Sequence, residues 1–167
     1  MNLYFLRHAK AFERGPKFRP DSKRPLTPEG EKKMYRVAKG IRNLGEPLDL
    51  ILCSPYARAF RTAEILAEVQ GCKKMFATKN LAAEEAPKNL IDEINARFSS
   101  VQNIVLVGHE PYLSGLISLL LTGDNTMQLV MKKAGFCKLV VPEGLRFDKC
   151  ASLNWLLTPG QLAALKR

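Results

Sequence analysis

Apolar residues in this chain follow two rhythms that alternate along its length. Short apolar runs rich in branched and aromatic side chains occupy residues 3–6, 48–53, where Asp49 is the one interruption, and 104–107, and they predict strands buried on both faces. Between the runs, apolar positions recur every three or four residues. Met34, Val37, Ala38, Ile41 and Leu44 form one stripe, Ala63, Leu66 and Val69 a second, and Leu90, Ile91, Ile94 and Phe98 a third, each predicting a helix laid on the sheet. Residues 113–121 predict a further helix. A shorter strand is expected at 73–78 and two more at 136–141 and 152–157, with a Pro142-Glu143-Gly144 turn between them and a short last helix from about Gly160.

Capping residues sharpen these boundaries. Thr27-Pro28-Glu29 reads as an N-cap, a first-turn proline and an acid at the positive end of the helix dipole, and Gly45 closes that helix. Ser54-Pro55 repeats the cap-and-proline signal, so the second helix is expected to start there. Residues 9–24 are polar and aperiodic, a loop longer than compact domains usually carry without a function. Strands alternating with helices predict an α/β fold, a three-layer αβα sandwich with a mostly parallel central sheet and one or two edge strands from the C-terminal part. With 167 residues and no repeat or linker, one domain over 1–167 is expected.

The chain has two histidines, and both end a buried run: Arg7-His8 stops the first, Gly108-His109 the one at 104–107. Open α/β sheets bind ligands at the carboxyl edge, where these groups arrive. Arg58 falls in the first turn of the helix after Ser54, where a cation opposes the helix dipole unless an anion binds there. Arg24 stands at the end of the long loop. Arg61 follows within the first two turns of the same helix.

Charge and cysteine usage narrow the class. Twenty-six Lys and Arg against 16 Asp and Glu give a formal charge of +10, which favours anionic partners. No stripe interleaves basic residues with aromatics, so no nucleic-acid partner is expected. The longest apolar stretch, 113–121, holds two serines and a glycine and is far short of the roughly 20 residues a membrane span needs. Cys53, Cys72, Cys137 and Cys150 are scattered, and the histidines lack ligand spacing, so reduced thiols and no metal are expected. With no secretion signal visible, a cytoplasmic protein is expected.

If Arg7, His8, Arg24, Arg58 and His109 meet at the sheet edge, they make a site for a dianion with several oxygens, above all a phosphoryl group. Guanidiniums neutralise the oxygens, and a neutral imidazole is a competent nucleophile that leaves a covalent phosphohistidine for water to open. No cofactor is needed for that chemistry.

Four elements in this order resemble the histidine phosphatase superfamily: Leu6-Arg7-His8-Ala9, Arg24-Pro25-Leu26-Thr27, Ser54-Pro55-x-x-Arg58-Ala59-x-x-Thr62 and Gly108-His109. Small size, the Arg-Pro-Leu-Thr element and a short middle loop are most similar to SixA-type phosphohistidine phosphatases. The resemblance implies that His8 accepts the phosphoryl group while Arg7, Arg58 and His109 cradle its oxygens, with Arg24 as an additional phosphate ligand. Ala9 departs from the glycine common in the superfamily. Also missing is the acidic pattern that mutases and sugar phosphatases of the superfamily use to protonate an alcohol. A site without a dedicated acid suits a phosphoramidate, since an imidazole leaves more readily than an alcohol.

The expected function is therefore removal of phosphoryl groups from protein phosphohistidine in a signalling relay, without a metal. A small-molecule phosphomonoesterase is the enzymatic alternative, and a non-catalytic basic module that binds a phosphoprotein or nucleic acid is a third reading. Glu84 and Glu85, adjacent in a loop, would supply an acid if either entered the site. Lys132 and Lys133 read first as a solvated turn, and second as a pair that borders the pocket and recruits acidic partners.

Overall fold

The structure is a computed structural model and describes residues 1–166. Six strands form one sheet: β1 (Asn2–Arg7), β2 (Leu50–Cys53), β3 (Met75–Ala77), β4 (Asn103–Gly108), β5 (Phe136–Val140) and β6 (Ser152–Leu157), in spatial order β3-β2-β4-β1-β5-β6. β1, β2, β3 and β4 are mutually parallel, β5 runs antiparallel to β1, and β6 antiparallel to β5. β6 therefore points the same way as β1, and only β5 is reversed. The antiparallel insertion leaves β1 interior, paired on both sides.

Five helices cover the sheet: α1 (Pro28–Asn43), α2 (Ala57–Gln70), α3 (Pro87–Arg97), α4 (Tyr112–Thr122) and α5 (Pro159–Ala164). The alternating side chains of the central strands explain the layering. Leu3, Phe5, Leu50, Leu52, Ile104 and Leu106 point to one face and pack against α3 and α4. Tyr4, Leu6, Ile51, Cys53, Val105 and Val107 point to the other and pack against α1, α2 and α5. Both faces are dry, which is why these strands read as unbroken apolar runs and not as alternating ones. The result is the expected three-layer arrangement.

Caps set the helix entries. Thr27 accepts the Gly30 amide at 3.0 Å and starts α1, and Thr158 with Gln161 forms a reciprocal capping box at α5. α2 departs from expectation. It begins at Ala57 with Tyr56 at its N-cap, and no side chain caps it. Ser54 is released from the helix, and its hydroxyl serves elsewhere.

The chain leaves β1 for α1 on one face and leaves β4 for α4 on the other, so a crevice opens between the carboxyl ends of these neighbouring strands. This is the switch point at which open α/β sheets take ligands.

α5 lies so close to α1 that a Cβ on Gly40 would sit 1.9 Å from the carbonyl oxygen of Leu162. Gly40→Ala should gain helix propensity yet lose net stability, by roughly 1–3 kcal/mol, because the backbones must separate. A thermal melt of the variant checks this, and an unchanged or raised Tm would contradict it.

Candidate active site

Strand register brings the two imidazoles together. β1 and β4 pair with Arg7 opposite Gly108, and the ladder runs one step further as the His8 amide donates to the Gly108 carbonyl at 3.0 Å. His8 and His109 are the next residues on each strand, and their ring centroids are 5.2 Å apart. On the other side of β4, the Ser54 amide donates to Val107 at 2.9 Å, which brings Ser54 beside His109. Three strand ends thus meet in one place.

His8 is held in a defined tautomer, and His109 is held by a hydroxyl. His8 Nδ1 lies 2.7 Å from the Ala9 carbonyl, which can only accept, so Nδ1 carries the proton and Nε2 keeps its lone pair. Ala9 is itself fixed, its amide donating to Thr62 Oγ1 at 3.1 Å while that hydroxyl donates to the Arg58 carbonyl at 2.7 Å. The departure from glycine at position 9 is accommodated in the core, where the methyl is buried. His109 Nε2 lies 2.8 Å from Ser54 Oγ, which already accepts the Tyr56 amide at 3.3 Å. When the serine hydroxyl donates to Nε2, the ring proton of His109 sits on Nδ1.

Three arginines surround the rings. Arg7 donates from one terminal nitrogen to the Met131 carbonyl at 2.8 Å. Arg58 is 3 % exposed and uses both terminal nitrogens on Asp21, one to its carbonyl and one to its carboxylate, each at 3.0 Å. Arg24 donates through Nε to the same carboxylate at 2.8 Å and from a terminal nitrogen to the Phe12 carbonyl at 2.6 Å. Asp21, in a short 3-10 turn at Asp21–Lys23, therefore sets two guanidiniums at once, and its carboxyl is held below the usual range first by the Arg24 hydrogen bond. Tyr56 packs between the rest, its ring 5.1 Å from that of His109 and 5.2 Å from the Arg58 guanidinium.

Among the described residues, the buried side-chain nitrogens left without a partner are Arg7 Nε, Arg58 Nε and His109 Nδ1. All three residues line one cavity of about 250 Å³, with His8 and Arg24 also in its wall. Buried polar nitrogens are nearly always paired, so three orphans around one small polar cavity form a set that an anion with several oxygens would satisfy. Burial drives both rings toward the neutral form: His8 is lowered to about 4 and His109 to about 3, with the neighbouring arginines pushing the same way. Among the described residues, no three His, Cys, Asp or Glu side chains converge to hold a metal ion. No described helix is long and apolar enough to cross a membrane.

Comparison with known proteins fits this geometry. The sequence profile of the histidine phosphatase superfamily (branch 1) matches residues 3–84. An uncharacterized protein of Picosynechococcus sp. is 35% identical over 144 residues, covering 83% of this chain and 84% of that protein. The chain belongs to the histidine phosphatase superfamily. As a hydrolase of this superfamily it acts on phosphorylated substrates. Among solved structures, the protein histidine phosphatase SixA complexed with tungstate superposes with a TM-score of 0.82 at 20% identity, covering 97% of this chain and 99% of that one. A mycobacterial glucosyl-3-phosphoglycerate phosphatase superposes with a TM-score of 0.68 at 18% identity, covering 92% and 96%. The superfamily fold is shared by both.

The structure brings Arg7, His8, Arg24, Arg58 and His109 into one cavity and keeps most of the other candidates out of it. Glu84 donates nothing to the cavity; it accepts the Tyr56 hydroxyl at 2.8 Å and lines a separate groove. Glu85 is absent from the cavity wall as well. Lys133 is not merely a solvated turn residue, since it borders the cavity, while Lys132 does not. Arg61 pairs with Glu31 and Glu64 on the surface. Asp21 and Glu110 were missed. Glu110 follows His109 and lines the cavity, and its adjacency to that histidine was the available signal.

A superfamily site with two buried neutral rings has a pH signature. Both rings have folded values below the ordinary 6.5, so the unfolded chain binds protons more readily, and stability should fall as pH drops from about 6.5 toward about 4. NMR titration of the ligand-free protein should give ring midpoints near about 4 and about 3. Midpoints near 6.5 would show that the rings are solvated.

Proposed function

We propose that this protein removes the phosphoryl group from phosphohistidine on other proteins, by way of a covalent phosphohistidine on His8. The observation that carries this reading is the set of three unpartnered buried nitrogens, on Arg7, Arg58 and His109, around a histidine whose Nδ1 is pinned and whose Nε2 is free. These nitrogens would take the phosphoryl oxygens, and Arg24 would add charge at the rim. The lone pair of His8 Nε2 then attacks phosphorus, a P–N bond forms, and the bond to the leaving group breaks.

Substrate class follows from proton supply. A protonated phosphoimidazole leaves as neutral imidazole without help, whereas an alkoxide needs an acid. Of the two candidate loop acids, Glu84 is engaged by Tyr56 outside the cavity and Glu85 does not line it. Likeness in size and fold to SixA, described as a protein histidine phosphatase, agrees with this reading. Positive charge at the site comes from guanidiniums, so the reaction is proposed to need no metal and to survive a chelator.

One observation favours a small phosphorylated molecule as the alternative. A groove of about 450 Å³, lined by Phe18, Arg19 and Tyr56 among others, shares Arg14 with the cavity and has room for a leaving group of modest size. The sugar-phosphate enzyme among the structural neighbours points the same way.

A histidine-phosphorylated phosphotransfer domain should be hydrolysed with a higher kcat/KM than an aryl or sugar phosphate, and the reverse order would overturn the substrate assignment. His8→Ala should abolish turnover, and Arg58→Ala should lower it by about 10²–10³-fold with the fold retained on circular dichroism. Phosphate trapped on any residue but His8, after quenching without acid, would remove the mechanism.

A further inference from the structure

Two displacements at phosphorus make up the proposed reaction, and the groups assigned so far serve only the first. Releasing phosphate from His8 requires water, a weak nucleophile until a base takes its proton. The guanidiniums cannot act as bases. His109 has Nε2 engaged by Ser54, and its Nδ1 carries the ring proton when the serine donates. Asp21 is tied up by arginines and Glu84 by Tyr56, and neither lines the cavity.

Two carboxylates do line it, Glu13 and Glu110. Glu13 is exposed in the long loop after β1, and no hydrogen bond fixes it among the described residues. Glu110 is half-buried and anchored. Its Oε1 accepts the Ser114 amide at 3.1 Å, in the first turn of α4. A carboxylate accepts a proton in its ionised form.

We infer that Glu110 is the base for the second displacement, taking the proton from the water that opens the phosphohistidine on His8. The inference rests on His8 being the nucleophile. In that step the water oxygen bonds to phosphorus and its proton passes to the Glu110 carboxylate. The P–N bond breaks, its electron pair returns to His8 Nε2, and hydrogen phosphate departs. Glu110 then loses its proton to solvent. The first displacement needs no acid when the substrate is a phosphohistidine, so one ionised carboxylate suffices for the cycle.

Glu110→Gln isolates the charge, because the glutamine carbonyl still accepts the Ser114 amide and preserves the helix start. Rapid quenching with a ³²P-labelled histidine-phosphorylated protein reads the two steps separately. In Glu110→Gln, His8 should be labelled at the wild-type rate, while label is released about 10²-fold more slowly and phosphoenzyme accumulates. In Glu110→Ala, added formate should restore part of the release. Wild-type release in Glu110→Gln, or labelling and release slowed by the same factor, would overturn the assignment to Glu110. Failure to label His8 in the wild-type protein would instead overturn the nucleophile itself.

Discussion

The register of β1 against β4 is the constraint from which the site follows. Side chains alternate along a strand, so a slip of one residue would turn His8 to the opposite side and carry Tyr4 and Phe5 with it. Tyr4 packs toward α1, α2 and α5, and Phe5 toward α3 and α4, each fully buried. Exchanging them would leave both layers mispacked, a cost borne by the whole core. The placement of two imidazoles side by side is therefore enforced by apolar packing, and no contact between the rings is needed to hold them.

That packing also makes the electrostatics unusual. Four guanidiniums, those of Arg7, Arg14, Arg24 and Arg58, and two titratable rings line a small, partly buried cavity, an arrangement that would repel itself if every group were charged. The conflict is resolved in two ways. Burial and the arginines keep both rings neutral, which preserves the lone pair on His8. Asp21 supplies one carboxylate to Arg58 and Arg24 and leaves Arg58 Nε facing no protein partner. The long loop after β1 is thus tied to the site by an ion pair, with Arg24 strapped to its carbonyls. A segment that reads as aperiodic in sequence is ordered by charge.

Much of this was legible without coordinates. Unbroken apolar runs marked β1, β2 and β4, because strands covered on both faces must be apolar at every position. Stripes at helical spacing marked the helices, and histidines ending two of those runs marked the carboxyl edge. Ser54 was misread for a clear reason: Ser-Pro before a helix has the same local signature whether the hydroxyl caps the helix or turns to a neighbouring strand. Here the neighbour is His109, 55 positions away. Glu84 was a candidate acid by loop position alone, and Lys133 reads first as a turn residue. Sequence carries no information on which way either side chain points.

The sequence by itself determined the alternation of buried strands and amphipathic helices, the αβα layering, and the delivery of Arg7-His8 and Gly108-His109 to strand ends. These are local properties, set by periodicity and by where apolar runs stop. Only the tertiary structure decided that β5 inserts beside β1, that Asp21 reaches Arg58 across 37 positions, that Ser54 holds His109, and that Glu110 and not Glu84 lines the cavity. Each of those depends on pairing between distant segments, where strand order and side-chain direction come from packing the chain as a whole.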